Sequence, residues 1–160
     1  MAKVHHSAIV TRDVESSLVF WRDGLGFEIL MDEVFEGPWP DLFGASSSKL
    51  RSVFLGEGDE PDSGIIELVE PLGVVHLEGV DLPVPPPPVP SHGFFLVSLH
   101  VDLDEVLARL TALGTGSEPI VRAVGPVRLA VVHDPNGIKV ELMDTPARAN
   151  LAAMSAAGSR

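Results

Sequence analysis

One strand–helix unit occurs twice in this 160-residue chain, and that repeat limits the fold more than any other feature. Near the start, His6-Ser7-Ala8-Ile9-Val10-Thr11-Arg12-Asp13 leads into an amphipathic helical pattern that ends at Gly24-Leu25-Gly26-Phe27. In the middle, Leu96-Val97-Ser98-Leu99-His100-Val101-Asp102 leads into a second such pattern that ends at Leu113-Gly114. In both copies an alternating strand runs into an acidic helix start, and glycine stops the helix. Two copies of one unit predict two packed modules with a shared site, and place the chemistry at matching positions of the copies.

The rest of the chain fills out each copy. Asp13 caps the first helix, with Val14, Leu18 and Trp21 as its apolar stripe. Strands are predicted over Phe27 to Val34, Leu50 to Leu55 and Gly64 to Glu70, and Phe35 to Lys49 reads as a loop. The second copy begins at Phe94 and carries a helix over Glu105 to Leu113. Strands follow over Pro119 to Val124, Val127 to Val132 and Ile138 to Met143, with the turn Asp134-Pro135-Asn136-Gly137 before the last. Each half therefore reads strand–helix–three strands. The expected organisation is a first module over 1–70, a connector over 71–93, a second module over 94–145 and an Ala-rich tail over 146–160. Pro83 to Pro90 is nearly all proline and is expected to be an extended spacer.

Composition excludes several classes of function. There is no cysteine, so disulfides, thiolate nucleophiles and Cys-based zinc sites are ruled out. A net charge of −12 argues against nucleic acid, which needs clustered Lys and Arg. The acidic balance serves solubility, or favours a cationic or neutral ligand over a phosphorylated one. No apolar run approaches the roughly 18 residues of a membrane span. Met1-Ala2-Lys3 leads directly into a strand, so a cytoplasmic protein without signal peptide is expected.

Three segments carry a resemblance. They are His6 to Asp13 with Phe20-Trp21-Arg22-Asp23-Gly24-Leu25-Gly26-Phe27, then Ile66-Glu67-Leu68-Val69-Glu70-Pro71, then Asp134-Pro135-Asn136-Gly137-Ile138-Lys139-Val140-Glu141-Leu142. In order and spacing they resemble the vicinal oxygen chelate superfamily of glyoxalases, bleomycin-resistance proteins and extradiol dioxygenases. The resemblance implies an α+β fold in which two tandem βαβββ modules form a cupped, incompletely closed mixed β-sheet with helices outside. It implies a homodimer as well. It also implies metal ligands, a His early in the first strand and a Glu in the last strand of each module. His6, Glu67 and Glu141 match. The fourth position falls on Leu96, a departure from the family pattern.

His100 does not replace that ligand, because four residues along a strand span about 13 Å and metal–nitrogen bonds are about 2 Å. By strand alternation His5 points away from His6, and His92 sits in the connector. One imidazole and two carboxylates suffice for a divalent ion such as Fe, Mn, Co, Ni or Zn, with positions left open for substrate. Glu67 is the strongest clue. A carboxylate between Ile66 and Leu68 is costly unless paired or metal-bound. The structural alternative pairs one of the two glutamates with Arg51 or Arg128. Glu141 and His100 are the candidate catalytic acid–base groups. His133 is expected to be structural or exposed, and Trp21 to be core. Trp39, Phe35 and Phe43 are expected to form a lid or a dimer contact.

The function expected is that of a metal-dependent lyase, isomerase or dioxygenase acting on a small oxygen-bearing molecule. The Leu96 departure and acidic balance argue against a glutathione adduct. The one-His, two-Glu set differs from the two-His, one-Glu set of ring-cleaving dioxygenases. The alternative is a metal-free binding protein that sequesters a small ligand, such as a cationic aromatic molecule.

Overall fold

The computed structural model describes residues 4–58, 64–74, 94–124 and 127–144. The proline run, His92 and the Ala-rich tail lie outside the described residues. The chain divides into two compact units, Met1–Val84 and Pro85–Arg160.

The first unit runs β1 (His6–Val10), α1 (Val14–Leu18), β2 (Glu28–Glu36), α2 (Trp39–Phe43), β3 (Lys49–Gly56) and β4 (Ile65–Pro71). Its sheet has the order β1-β4-β3-β2, with β1 parallel to β4 and the other neighbours antiparallel. Strand alternation separates two faces. Ile9, Val53, Leu55, Ile66 and Leu68 are buried on one, together with Val14 and Leu18 of α1. His6, Ala8, Phe54 and Glu67 share the other, since Ala8 and Phe54 both stand opposite Glu67.

The second unit repeats the plan with β5 (Val97–Val101), α3 (Leu103–Leu113), β6 (Ile120–Val124), β7 (Val127–His133) and β8 (Lys139–Asp144). The sheet order is β5-β8-β7-β6, again with the first strand parallel to the last. Ala130, Val132, Val140 and Leu142 are buried on one face, and α3 buries Leu103, Val106 and Leu110. Each unit is thus a βαβββ module around a mixed four-stranded sheet, as the repeat predicts.

Two local features depart from the sequence reading. The first helix begins as α but continues as a π-helix over Val19–Gly24, closing with Leu25 N–H to Phe20 O at 3.0 Å. This wider winding accompanies the complete burial of two consecutive large rings, Phe20 and Trp21. The second departure is α2, a short helix inside the stretch expected to be a loop. Proline in the first turn loses an N–H that has no intrahelical partner there, so Pro40 does not stop it. Gly44 ends it in the left-handed region at φ 67°.

The repeat extends to a clamp that the sequence alone did not expose. Asp13 and Asp102 cap their helices by accepting from Ser16 N–H and Glu105 N–H. Two residues beyond each cap lies an acid, Glu15 or Asp104, and each is held by an arginine three residues before the one opposite the β4 or β8 glutamate. Arg51 bonds Glu15 at 3.2 Å and grips Asp32 with two bonds of 2.9 and 2.7 Å. Arg128 bonds Asp104 at 3.2 and 2.5 Å.

These arginines are therefore engaged elsewhere and do not neutralise Glu67 or Glu141. The Arg51 guanidinium holds the Asp32 carboxyl below its ordinary 3.8. A carboxyl depressed in the folded state stabilises above its unfolded value and loses that contribution as pH falls through the folded one. Replacing Arg51 by Met should therefore cost about 1 kcal/mol near neutral pH. The difference from wild type should fade below about pH 4. Urea denaturation at pH 7 and pH 3 checks both; a cost unchanged at pH 3 contradicts the assignment.

Candidate functional site

Glu67 lies in β4 between the buried Ile66 and Leu68, and its side chain is only 13% exposed. A carboxylate there needs a partner. The parallel pairing of β1 with β4 supplies it. With Ala8 opposite Glu67, His6 stands one step along the same face, and its Nε2 comes within 3.2 Å of Glu67 Oε2. Phe54, opposite Glu67 on β3, puts its ring 5.4 Å from the imidazole. One wall of the pair is therefore apolar, which strengthens its electrostatics.

His5 joins this group, against the expectation from alternation. β1 begins at His6, so His5 precedes the strand and is free of its alternation. Its Nδ1 lies 2.8 Å from His6 Nδ1, and its ring packs edge-on to Phe54 at 6.3 Å.

The His6–Glu67 spacing suits a divalent ion. Two ligands at about 2.1 Å from one ion and at right angles to each other stand about 3 Å apart. One imidazole and one carboxylate form a donor pair of the right chemistry for Mn, Fe, Co, Ni or Zn. Among the described residues no group of three His, Asp, Glu or Cys side chains converges in metal-holding geometry.

The second unit has the same frame with different groups. Glu141 is the third residue of β8, as Glu67 is of β4, and Ser98 stands opposite it where Ala8 stands opposite Glu67. Counting two residues back from Ser98 gives Leu96, so the register agrees that Leu96 occupies the position of His6. Ser98 donates to Glu141 Oε2 at 2.7 Å.

Sequence reasoning missed Ser98. Aligning the two first strands on their glutamate partners is the signal that finds it. His100 shares that sheet face, opposite Met143, and is exposed. It is the serine hydroxyl, rather than His100, that is bonded to Glu141. His133 is held structurally, its backbone N–H donating to Ser117 Oγ at 3.0 Å. Trp21 is core as expected, while Trp39 and Phe43 stack with centroids 5.9 Å apart on α2, and Phe43 is largely exposed.

A chain of two βαβββ modules has known counterparts. This chain belongs to the Glyoxalase/Bleomycin resistance protein/Dioxygenase superfamily, matching the family over residues 3–142. It is 33% identical over 153 residues to the lactoylglutathione lyase-like protein terB of Aspergillus terreus, covering 89% of this chain and 75% of that one. It is 27% identical over 145 residues to the lactoylglutathione lyase of Salmonella typhimurium, covering 87% and 90%. Among solved structures, the Leishmania major glyoxalase I superposes with a TM-score of 0.63 at 21% identity over the full length of both chains. The protein is thus glyoxalase-like in sequence and fold. Among the described residues no helix is long and apolar enough to cross a membrane.

Proposed function

We propose that this protein is a divalent-metal-dependent lyase or isomerase acting on a small oxygen-bearing molecule. The observation that carries this reading is the His6–Glu67 pair, 3.2 Å apart on one sheet face. His6 and Glu67 are the proposed ligands in the first unit. Glu141 takes the matching role in the second unit, as donor or as base. A bound divalent ion supplies polarisation of substrate oxygens and stabilisation of developing enolate charge.

The chain's own residues do the rest. Glu141 accepts the proton taken from carbon and returns it to the neighbouring position. Ser98 donates a hydrogen bond that fixes the Glu141 carboxylate in one orientation. His100, exposed on the same face, is the proposed acid for an oxygen that must be protonated. The relatives named lactoylglutathione lyase support the lyase class. The Leu96 position leaves this chain one imidazole short of the family set, which favours a smaller oxygenated substrate over a glutathione adduct.

Glu141→Gln should abolish turnover, by about 100-fold or more, with an unchanged far-UV circular dichroism spectrum. Retained turnover would overturn the role. The reading also takes the protein as a cytoplasmic homodimer. Exposed Phe35, Leu42 and Phe43 support the association, and sedimentation equilibrium tests it.

A second reading is favoured by the Ser98–Glu141 bond. A hydroxyl satisfies that carboxylate without a cation, as a metal-free sequestering protein requires. Thermal-shift measurements separate the two. Stabilisation by divalent ions supports the enzyme, and stabilisation by organic cations alone supports the binding protein.

A further inference from the structure

The two histidines at the start of β1 meet through like atoms. His5 Nδ1 lies 2.8 Å from His6 Nδ1, with the rings at 85°. Between two neutral imidazoles such a contact holds one proton, so one ring donates and the other accepts. His6 Nε2 meanwhile faces Glu67 Oε2 at 3.2 Å. The two contacts of His6 fix one another.

When Nε2 carries the proton and donates to Glu67, Nδ1 is bare and His5 must donate from its own Nδ1. When Nε2 is bare, as a cation ligand must be, Nδ1 carries the proton and His5 must accept. Both arrangements place the same two protons on the same two neutral rings. Exchange between them releases no net proton.

We propose that His5 is a positioning residue that sets the tautomer and ring orientation of His6. Through it, Nε2 changes from donor toward Glu67 to ligand for a divalent cation while Nδ1 keeps a hydrogen-bonded partner. The tautomer pairing stands on the geometry alone, and the cation half rests on the metal-binding reading above. Phe54 limits both rings, packing 6.3 Å from His5 and 5.4 Å from His6. Partners of this kind typically change metal affinity by about 10–100-fold when removed.

Two measurements test the proposal. The first is nitrogen-15 NMR of the imidazoles in metal-free protein at about pH 8.5, two units above the ordinary imidazole value of about 6.5. The expected result is His6 with its proton on Nε2 and His5 with its proton on Nδ1. His6→Ala should release His5 from that form. Added Zn²⁺ should invert both rings. A His5 proton on Nε2 in the metal-free protein, or a His5 tautomer indifferent to His6→Ala, overturns the pairing.

The second measurement is Zn²⁺ titration. His5→Phe should weaken binding by about 10-fold or more, while His5→Asn, which both donates and accepts near the Nδ1 position, should stay within about 3-fold of wild type. Equal affinity in all three proteins overturns the positioning role. A wild type that shows the paired tautomers but binds no Zn²⁺ overturns the cation half and the metal reading together, and leaves the pairing standing.

Discussion

Glu67→Gln should weaken divalent-ion binding by at least about 100-fold, because even partners outside the ligand shell are worth about 10–100-fold. The carboxylate supplies both negative charge and a ligand oxygen, and an amide keeps the shape while giving up the charge. Stability should barely change, within about 1 kcal/mol, since the His6 N–H that faces Glu67 at 3.2 Å finds an amide oxygen in the same place. That combination makes the substitution informative, because lost binding cannot then be attributed to lost fold.

Elemental analysis of the purified protein and isothermal titration with Mn²⁺, Ni²⁺ and Zn²⁺ make the comparison. Binding that survives the substitution would remove Glu67 from the ligand set and leave His6–Glu67 as a structural hydrogen-bonded pair. A wild type that takes up no ion in any titration would favour the sequestering protein instead.

Much of the fold was legible because the repeat is written in features that sequence exposes directly. Alternation marked β1 and β5, Asp13 marked the first helix start and Asp102 or Asp104 the second, and Glu67 and Glu141 stood out as carboxylates with an apolar residue on either side. What stayed hidden depends on register or on strand limits. Ser98 looks like any polar strand residue until the pairing sets it opposite Glu141. His5 was assigned to the wrong face because alternation was extended one residue beyond the true start of the strand.

The same limit applies to Arg51 and Arg128. Their positive charge made them natural partners for the buried-looking glutamates. Alternation turns them to the opposite face, where the acidic first turns of α1 and α3 receive them. The π-helical winding had no signature beyond two adjacent rings, Phe20 and Trp21, and α2 was masked by Pro38 at its cap and Pro40 in its first turn. The site was therefore legible in its carboxylates and in His6, and illegible in the groups that orient them.

Trp21→Ala should destabilise the protein by about 3–5 kcal/mol. The indole is wholly buried, with its ring 5.3 Å from Phe20 and 5.8 Å from Phe27. Its backbone carbonyl also accepts from Phe27 N–H at 3.2 Å, at the point where the π-helix gives way to β2. Truncation removes the side chain that fills the space between helix and strand, and the surrounding rings cannot collapse into it without unwinding that turn. Against a typical total of about 5–15 kcal/mol, a loss of this size brings the chain near its unfolding threshold. Urea denaturation followed by circular dichroism measures it, and a cost below about 1 kcal/mol would mean the core closes over the gap. Trp21 is core on the helix side, whereas His6 and Glu67 share the other sheet face. In conditions where the variant remains folded, its Zn²⁺ affinity should therefore stay within about 3-fold of wild type, against the loss of about 100-fold expected for Glu67→Gln. Opposite effects of the two substitutions on stability and on binding would assign the two faces of this sheet to different tasks, one to holding the module together and the other to chemistry.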